Sequence, residues 1–238
     1  MSTPDEGGQG RPDENQTGIP GEDRTDAMID DQVEERPEFA ATLFGDRLDA
    51  AERYAEHLAT TGVEWGLIGP RELPRLWTRH ILNCGVAASL LEAGDVVGDI
   101  GSGAGLPGIP WALARPDVSF VLIESMERRV EWLRMVVEDL GLENVRIVRA
   151  RVEDLVDEEM FTVVTARAVK AMTTLIEWSV PILGPEGRIL AIKGASVQAE
   201  LDKAARLIRK RRLQGPTVHS LGADELPTPT TVVELRRS

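Results

Sequence analysis

The glycine-rich stretch at residues 94–108, GDVVGDIGSGAGLPG, follows a short apolar run and is well suited to binding a nucleotide-like ligand. Glycine has no Cβ atom, so it adopts positive φ angles and lets a ligand approach the backbone. Two patterns overlap here. G-x-G-x-x-G over residues 103–108 is typical of dinucleotide-binding enzymes, whereas D-x-G-x-G-x-G over residues 99–105 places an acidic residue before the glycines. The two patterns predict different enzymes.

Charged residues follow the other apolar runs of the chain. Ligands of open α/β sheets bind beyond the carboxyl ends of the strands. A charged side chain at a buried strand end is energetically costly unless it pairs with another charge or contacts a ligand. Glu124 lies 23 residues after Gly101, where a carboxylate can accept both hydroxyl groups of a ribose. Glu153 either borders an adenine or is a charge at a helix N-terminus. The candidates of this kind are Glu124, Glu153, Arg167 and Lys193.

These residues favour the pattern that begins at Asp99. A hydride-transfer enzyme would also need a nicotinamide pocket and a proton donor, and among the three histidines only His80 lies near the junction of the helices and the sheet. Pro107 falls in the x-x part of the dinucleotide pattern, although proline is compatible with an early helical position. An NAD-dependent oxidoreductase therefore stays as an alternative.

Hydrophobic periodicity predicts helices first and a sheet afterwards. Apolar residues recur at helical spacing over residues 37–62, and further helical stretches continue to residue 91. Short apolar runs then alternate with helical segments, of which residues 128–140 form the clearest amphipathic stripe. We therefore expect an N-terminal helical cap at residues 37–93.

Alternation of strands and helices is typical of a parallel sheet that helices cover on both faces. The last two apolar runs, residues 217–221 and 231–235, have no helix between them, which predicts an antiparallel hairpin at the sheet edge. The fold class expected for residues 94–238 is therefore α/β, with a doubly wound, mostly parallel sheet.

Charge and composition separate the first 36 residues from the rest. This segment carries eleven acidic residues against three arginines, in a chain of net charge −13, and is poor in apolar residues, so we expect a disordered acidic tail at residues 1–36. The single cysteine, Cys84, excludes an internal disulfide and a multi-cysteine metal site. No apolar run approaches the roughly 20 residues that span a bilayer. We expect a cytoplasmic protein without a bound metal.

Several longer motifs resemble one family closely. The segments are DIGSGAGLPGIPWA at residues 99–112, ESMERRVEWL at 124–133, RVED at 151–154, RA at 167–168, AIKG at 191–194 and RHIL at 79–82. Together they resemble the bacterial small-subunit ribosomal RNA guanine-N7 methyltransferases, also called the glucose-inhibited division protein B family. The resemblance covers roughly residues 39–235. One departure is WGLI at residues 65–68, where many members carry an Asn-Leu-Thr segment.

The resemblance implies a Rossmann-like class I methyltransferase fold of seven strands, with S-adenosylmethionine as the cofactor. It implies methylation of N7 of one guanine in the decoding-region loop of 16S ribosomal RNA, either as RNA or within the small ribosomal subunit, by a monomeric enzyme. The cofactor-binding residues expected on this basis are Asp99, Gly101, Gly103, Gly105, Leu106, Glu124, Val152, Glu153 and Arg167. The residues expected at the RNA are Arg79, His80, Arg128, Arg129 and Lys193.

Guanine N7 carries a lone pair and no proton, so its attack on a sulfonium methyl group requires no general base. We therefore assign no catalytic acid or base and keep Arg167 and Lys193 as candidates for assisting the transfer. A small-molecule methyltransferase and an RNA-binding module without catalytic activity stay as alternatives. The intact glycine loop argues against the second of these.

Overall fold

The N-terminal part of the structure is helical. A computed structural model describes residues 33–167, 171–194 and 196–237. The α-helices are α1 (Phe39–Phe44), α2 (Leu48–His57), α3 (Leu82–Gly85), α4 (Gly108–Ala114), α5 (Glu127–Asp139), α6 (Met172–Ser179) and α7 (Val197–Lys210). Shorter 3-10 turns span Gly45–Arg47, Pro70–Arg75, Val86–Leu90, Val152–Leu155 and Val180–Ile182, and π-helical turns span Leu58–Gly62 and Leu76–Ile81.

Seven strands in the described part of the chain form one sheet. They are β1 (Val96–Ile100), β2 (Ser119–Glu124), β3 (Val145–Arg149), β4 (Phe161–Arg167), β5 (Leu183–Lys193), β6 (Leu213–Leu221) and β7 (Thr230–Arg237), in the order β3-β2-β1-β4-β5-β7-β6. Strands β1 to β5 pair in parallel, and β7 is antiparallel to both β5 and β6. The doubly wound, mostly parallel sheet and the terminal hairpin predicted from the sequence are confirmed.

Helices cover both faces of the sheet, which explains why its central strands are predominantly apolar. On one face the helices that precede β1 share a core with α4 and α5, in which Tyr54, Leu58, Trp111 and Trp132 are fully buried. On the other face α6 and α7 pack against β4 and β5. Burial of each large apolar side chain stabilises the fold by about 1.5–3 kcal/mol. The N-terminal helices are therefore part of the same core as the glycine loop that follows β1.

In two segments the observed secondary structure differs in detail from what the hydrophobic periodicity predicts. The helical stretch at residues 70–85 begins as a 3-10 turn and continues as a π-helical turn, and Pro74 lies inside the first turn, where it removes a backbone N–H. Strand β5 begins six residues earlier than the apolar run at residues 189–192, because the pairing of β4 with β5 shifts register between Phe161 and Val163. Helix α5, in contrast, agrees with its predicted bounds within one residue.

Residues 34–36 also differ from the prediction of a disordered tail. The Glu34 backbone N–H donates to the carbonyl of Leu73 at 2.9 Å, and its carboxylate accepts from the Thr78 N–H at 3.0 Å. Arg36 pairs with Glu52 at 2.6 Å. The rest of the predicted tail, residues 1–32, lies outside the described residues, and the predicted boundary of the cap at residue 37 stays a prediction.

Two features are absent from the described residues. No helix there is long and apolar enough to cross a membrane. No group of three or more His, Cys, Asp or Glu side chains in the same part of the chain is arranged to hold a metal ion.

Candidate cofactor and substrate site

The carboxyl ends of the parallel strands bring the predicted residues to one edge of the sheet. In the register of the sheet Ile100 pairs with Ile123, and Asp99 pairs with Thr165. Gly101, the residue after β1, therefore lies between the last residues of the two neighbouring strands, Glu124 of β2 and Arg167 of β4. Its N–H donates to the carbonyl of Ile123 at 2.8 Å, which extends the pairing one residue beyond the strand.

The glycine loop has one open side and one packed side. Gly101, Gly103 and Gly105 have φ angles of +69°, +57° and +83°, a region that L-amino acids with a side chain rarely adopt. A Cβ atom at Gly105 would overlap the Ile109 side chain, and one at Gly108 would overlap Leu122. At Gly103 the nearest atom to such a Cβ, the carbonyl oxygen of Gly101, is 3.8 Å away. The loop therefore presents Gly103 outward, while Gly105 packs against Ile109 of α4 and Gly108 packs against Leu122 of β2.

Asp99 supports the loop from beneath. Its side chain is fully buried, and Oδ2 accepts a hydrogen bond from the Gly108 N–H at 3.1 Å, at the start of α4. Ser102 Oγ donates to the Asp99 carbonyl at 2.9 Å. Burial raises the pKa of the Asp99 carboxyl to about 7, and the negative charge of Glu124 adds to this effect. Oδ1 has no hydrogen-bond partner among the described residues. The carboxyl thus fixes the shape of the loop rather than facing its open side.

Glu124 connects the loop to the end of β2. Its Oε2 accepts from the Gly103 N–H at 3.1 Å, and its Oε1 accepts from the Met126 N–H at 2.9 Å. The guanidinium of Arg129 lies 3.5 Å from Oε2. Since a carboxylate oxygen can accept two hydrogen bonds, each oxygen retains the capacity to accept one more from a ligand.

The predicted adenine-side residues follow β3. The Ala150 N–H donates to the Glu124 carbonyl at 3.2 Å, so this segment lies beside the end of β2. Val152 is buried and Glu153 is exposed, both in the 3-10 turn Val152–Leu155. Asp154 accepts the Arg151 N–H at 3.2 Å and so caps the start of this turn. The Glu153 carboxylate is therefore not needed as a cap.

Arg167, at the end of β4, contacts the N-terminal helices. Its Nη2 donates to His80 Nδ1 at 2.7 Å and to the Arg79 carbonyl at 3.2 Å. His80 Nε2 lies 2.7 Å from Glu72 Oε2. Burial and the charge of Arg167 lower the pKa of His80 to about 4, although Glu72 opposes the shift. His80 is thus a buried, neutral side chain with both ring nitrogens bonded, and its predicted contact with RNA stays a prediction.

The other predicted RNA residues divide into exposed and buried ones. Arg79 is well exposed and lies 3.4 Å from Glu72. Arg128 is exposed, and its guanidinium lies 5.3 Å from the ring centre of Trp65, a cation–π distance. The Lys193 side chain is only 8% exposed and its Nζ pairs with Glu200 of α7 at 2.9 Å, so its predicted contact with RNA stays a prediction.

Comparison with known proteins identifies the family. The model of the GidB family, described as rRNA small subunit methyltransferase G, matches residues 47–227. The chain belongs to this family. A relative from Pseudarthrobacter chlorophenolicus named "Ribosomal RNA small subunit methyltransferase G" is 54% identical over 196 residues, covering 82% of this chain and 91% of the relative. A relative of the same name from Leifsonia xyli subsp. xyli is 54% identical over 203 residues, covering 85% and 97%.

Solved structures of low sequence identity share the fold of this family member. TYW2 of M. jannaschii in complex with AdoMet has a TM-score of 0.52 at 18% identity, covering 66% of this chain and 74% of that one. A ribosomal protein L11 methylase from Lactobacillus delbrueckii subsp. bulgaricus has a TM-score of 0.51 at 14% identity, covering 67% and 79%. These likenesses concern the fold alone.

Membership in the GidB family confirms the resemblance read from the motifs. The protein is a methyltransferase of the ribosomal RNA small subunit family, and S-adenosylmethionine is the cofactor of that class. Family membership favours the D-x-G-x-G-x-G interpretation of the loop, and the NAD-dependent oxidoreductase is not supported. In the structure Gly108, the last glycine of the dinucleotide pattern, is buried against Asp99 and Leu122.

Sequence reasoning missed three side chains that shape the site. Tyr54 of α2 is fully buried, and its hydroxyl donates to the Ala104 carbonyl in the glycine loop at 2.7 Å. Glu72 contacts the ring of His80 through its carboxylate. Met126 lies two residues after Glu124, and its side chain is half exposed. Tyr54 lies in the stretch of residues 37–62 with helical spacing, but no local pattern indicated that a residue 50 positions away would accept its hydrogen bond.

Proposed function

We propose that this protein transfers the methyl group of S-adenosylmethionine to N7 of one guanine in the decoding-region loop of 16S ribosomal RNA. The observation that carries the proposal is the open side of Gly103 next to the carboxylate of Glu124, in a chain of the GidB family. A glycine-rich loop beside an acidic strand end is the arrangement that binds an adenosine-containing cofactor in sheets of this kind.

The residues present fit this cofactor. Glu124 has acceptor capacity for ribose hydroxyl groups, and Gly101, Gly103 and Leu106 would line the methionine and ribose side. Val152 and Glu153 would border the adenine, and Arg167 would complete the pocket from the other side of β1. When bound, the cofactor supplies an electrophilic methyl group on a positively charged sulfur.

The chain's own contribution to the reaction is positioning. Guanine N7 attacks through a lone pair, so the protein has no proton to remove, and the buried, paired state of His80 and Lys193 agrees with a site without a general base. Holding two reactants in line is worth up to about 7–11 kcal/mol in favourable intramolecular cases. Carboxylates near the base would stabilise the positive charge that the guanine acquires.

The substrate side of the proposal rests on three exposed or partly exposed arginines. Arg79, Arg128 and Arg129 lie on the segments that flank Gly101–Gly105 and would contact phosphate oxygens. A base must leave its stack to reach the cofactor, which favours a loop of RNA over a duplex. The proposed substrate places the activity in the cytoplasm, and we propose that one chain suffices for it.

Transfer of labelled methyl from S-adenosylmethionine tests this function. Purified protein would be incubated with 16S ribosomal RNA and with small ribosomal subunits that lack the modification, and in parallel with a metabolite extract. We expect label in one N7-methylguanosine of the RNA. Label that enters only the metabolite extract would instead support a small-molecule methyltransferase, and binding of RNA without any transfer would support a non-catalytic module.

A further inference from the structure

A chain of hydrogen bonds connects the N-terminal helices to the end of β4. Glu72 lies in the turn Pro70–Arg75, His80 in the turn Leu76–Ile81, and Arg167 at the end of β4. His80 lies 2.7 Å from Glu72 through Nε2 and 2.7 Å from Arg167 through Nδ1. Glu72 and Arg167 are 95 positions apart in sequence, and His80 is the residue that bridges them.

Only one protonation state of His80 satisfies both contacts. A guanidinium has donors and no acceptor, so Arg167 Nη2 must donate and His80 Nδ1 must accept with an unprotonated nitrogen. The single ring proton then lies on Nε2, from which it is donated to the Glu72 carboxylate. A doubly protonated ring would set two donors against each other at Nδ1. The other tautomer would do the same and would also remove the donor to Glu72.

The surrounding charges favour this neutral form. Among the described residues three charged groups face the ring, namely Arg167 from β4, Glu72 from the preceding turn and Arg79 from the ring's own turn. Burial opposes the ionisation of Glu72, but hydrogen bonds from Arg75 at 2.6 Å and from His80 outweigh it and lower the pKa of Glu72. Glu72 therefore remains an acceptor, and His80 remains unprotonated at neutral pH.

We propose that His80 is a positioning residue for Arg167, and that Glu72 fixes the tautomer that makes this possible. Arg167 Nη2 has two hydrogens, and both are used within the same turn, one at His80 Nδ1 and one at the Arg79 carbonyl. The guanidinium is thereby held in one orientation at the sheet edge, beside the glycine loop. The consequence for methyl transfer rests on the proposed function, whereas the tautomer and its dependence on Arg167 do not.

Nitrogen-15 NMR of histidine-labelled full-length protein tests the first step without any activity assay. The chain has three histidines, so the His80 signals can be assigned with His80→Phe or, if that variant does not fold, by elimination with His57→Phe and His219→Phe. We expect His80 to be neutral with its proton on Nε2 between pH 6 and 8, whereas His57 and His219 serve as internal references. Arg167→Met removes the positive charge and should raise the pKa of His80. A proton on Nδ1 in the wild type, or no response to Arg167→Met, would overturn the proposal.

A double-mutant cycle tests the second step, with cofactor affinity and methyl transfer as readouts. A hydrogen bond to a charged group corresponds to about a 10- to 100-fold effect, which is the loss of kcat/KM that we expect for His80→Phe. If His80 acts through Arg167, the double variant with Arg167→Met should be no worse than Arg167→Met alone. His80→Asn retains an acceptor near the position of Nδ1 and should recover part of the loss. His57→Phe is a matched control on α2, away from the network.

A failure of the positioning role of His80 can be distinguished from a failure of the proposed methyl transfer. Additive losses in the cycle, or no recovery by His80→Asn in a folded protein, would contradict the positioning role. If the wild-type protein transfers no methyl group to RNA, the proposed function fails, and the cycle is then measured on binding of S-adenosylmethionine by calorimetry. The NMR result decides the tautomer in either case.

Discussion

The backbone N–H of Gly103 donates a hydrogen bond to Oε2 of Glu124 across 3.1 Å, which joins the glycine loop to the end of the neighbouring strand. The same carboxylate accepts the N–H of Met126, the residue before α5. Glu124 is only 4% exposed, so this arrangement is held in a region of little solvent competition. The shape of the loop and the acidic end of β2 therefore depend on each other.

Replacing Glu124 should weaken cofactor binding more than it weakens folding. Glu124→Ala removes a charged acceptor from the Gly103 N–H and from the proposed ribose site, and we expect about a 10- to 100-fold loss of affinity for S-adenosylmethionine, measured by titration calorimetry. Glu127→Gln is a matched control, because this exposed residue of α5 pairs with Arg149 and not with the loop. Equal affinities for the wild type and Glu124→Ala would contradict a role of this carboxylate in binding.

Alanine at two glycines of the loop should separate binding from stability. Both positions have positive φ, so each substitution strains the backbone by about 1–2 kcal/mol. At Gly105 the new methyl group also overlaps Ile109, so Gly105→Ala should lower the melting temperature clearly more than Gly103→Ala. At Gly103 the methyl group projects into the open side, so the larger loss should be in cofactor affinity. A reversed order of the two effects would show that the loop faces the other way.

The buried carboxyl of Asp99 predicts a pH dependence of folding. Its pKa is about 7 in the folded state and 3.8 for an ordinary aspartate, so folding takes up a proton between these values. This contribution to stability is fully present below pH 3.8 and is lost as the pH rises through 7. Asp99→Asn cannot ionise, and its amide oxygen can still accept the Gly108 N–H. The free energy of unfolding, measured with urea, should fall between pH 5 and pH 7.5 in the wild type. We expect this fall to be smaller in Asp99→Asn, by on the order of 1–4 kcal/mol.

Arg128 should contribute to RNA affinity through its charge. The side chain is exposed at the start of α5 and lies over Trp65, beside the glycine loop. Affinity for 16S ribosomal RNA should fall as salt rises, and Arg128→Ala should reduce the slope of log K against log salt by about one. Arg134→Ala, which removes an exposed arginine later on the same helix, should leave the slope unchanged. Cofactor affinity should be equal in both variants, since neither side chain is part of the loop.

The sequence predicted those parts of the site that depend on strand ends. Parallel strands that alternate with helices must bring their carboxyl ends to one edge, so Gly101, Glu124 and Arg167 could be placed together before the structure was known. The start of α4 at Gly108 was likewise predictable, because the glycines end where helical periodicity begins. These features are encoded in short segments of the sequence, and the parallel pairing of the strands places those segments next to each other.

The sequence could not predict the contacts made between distant segments. His80 and Arg167 are 87 positions apart, and nothing near either residue indicates that a buried imidazole would accept from this guanidinium. Lys193 has a strand-end position equivalent to that of Arg167, yet it pairs with Glu200 on the helix that follows β5. Whether a strand-end charge faces a ligand or a neighbouring helix depends on packing of the following element, which periodicity does not specify.

Nucleoside analysis of 16S ribosomal RNA tests the central claim most directly. RNA would be isolated from cells with the gene, from cells without it, and from deleted cells that express the wild type or Glu124→Ala, and would be digested and examined by mass spectrometry. We expect that deletion removes one N7-methylguanosine from the decoding-region loop, that the wild type restores it, and that Glu124→Ala restores less. An unchanged N7-methylguanosine content in the deleted cells would contradict methylation of this RNA by the protein.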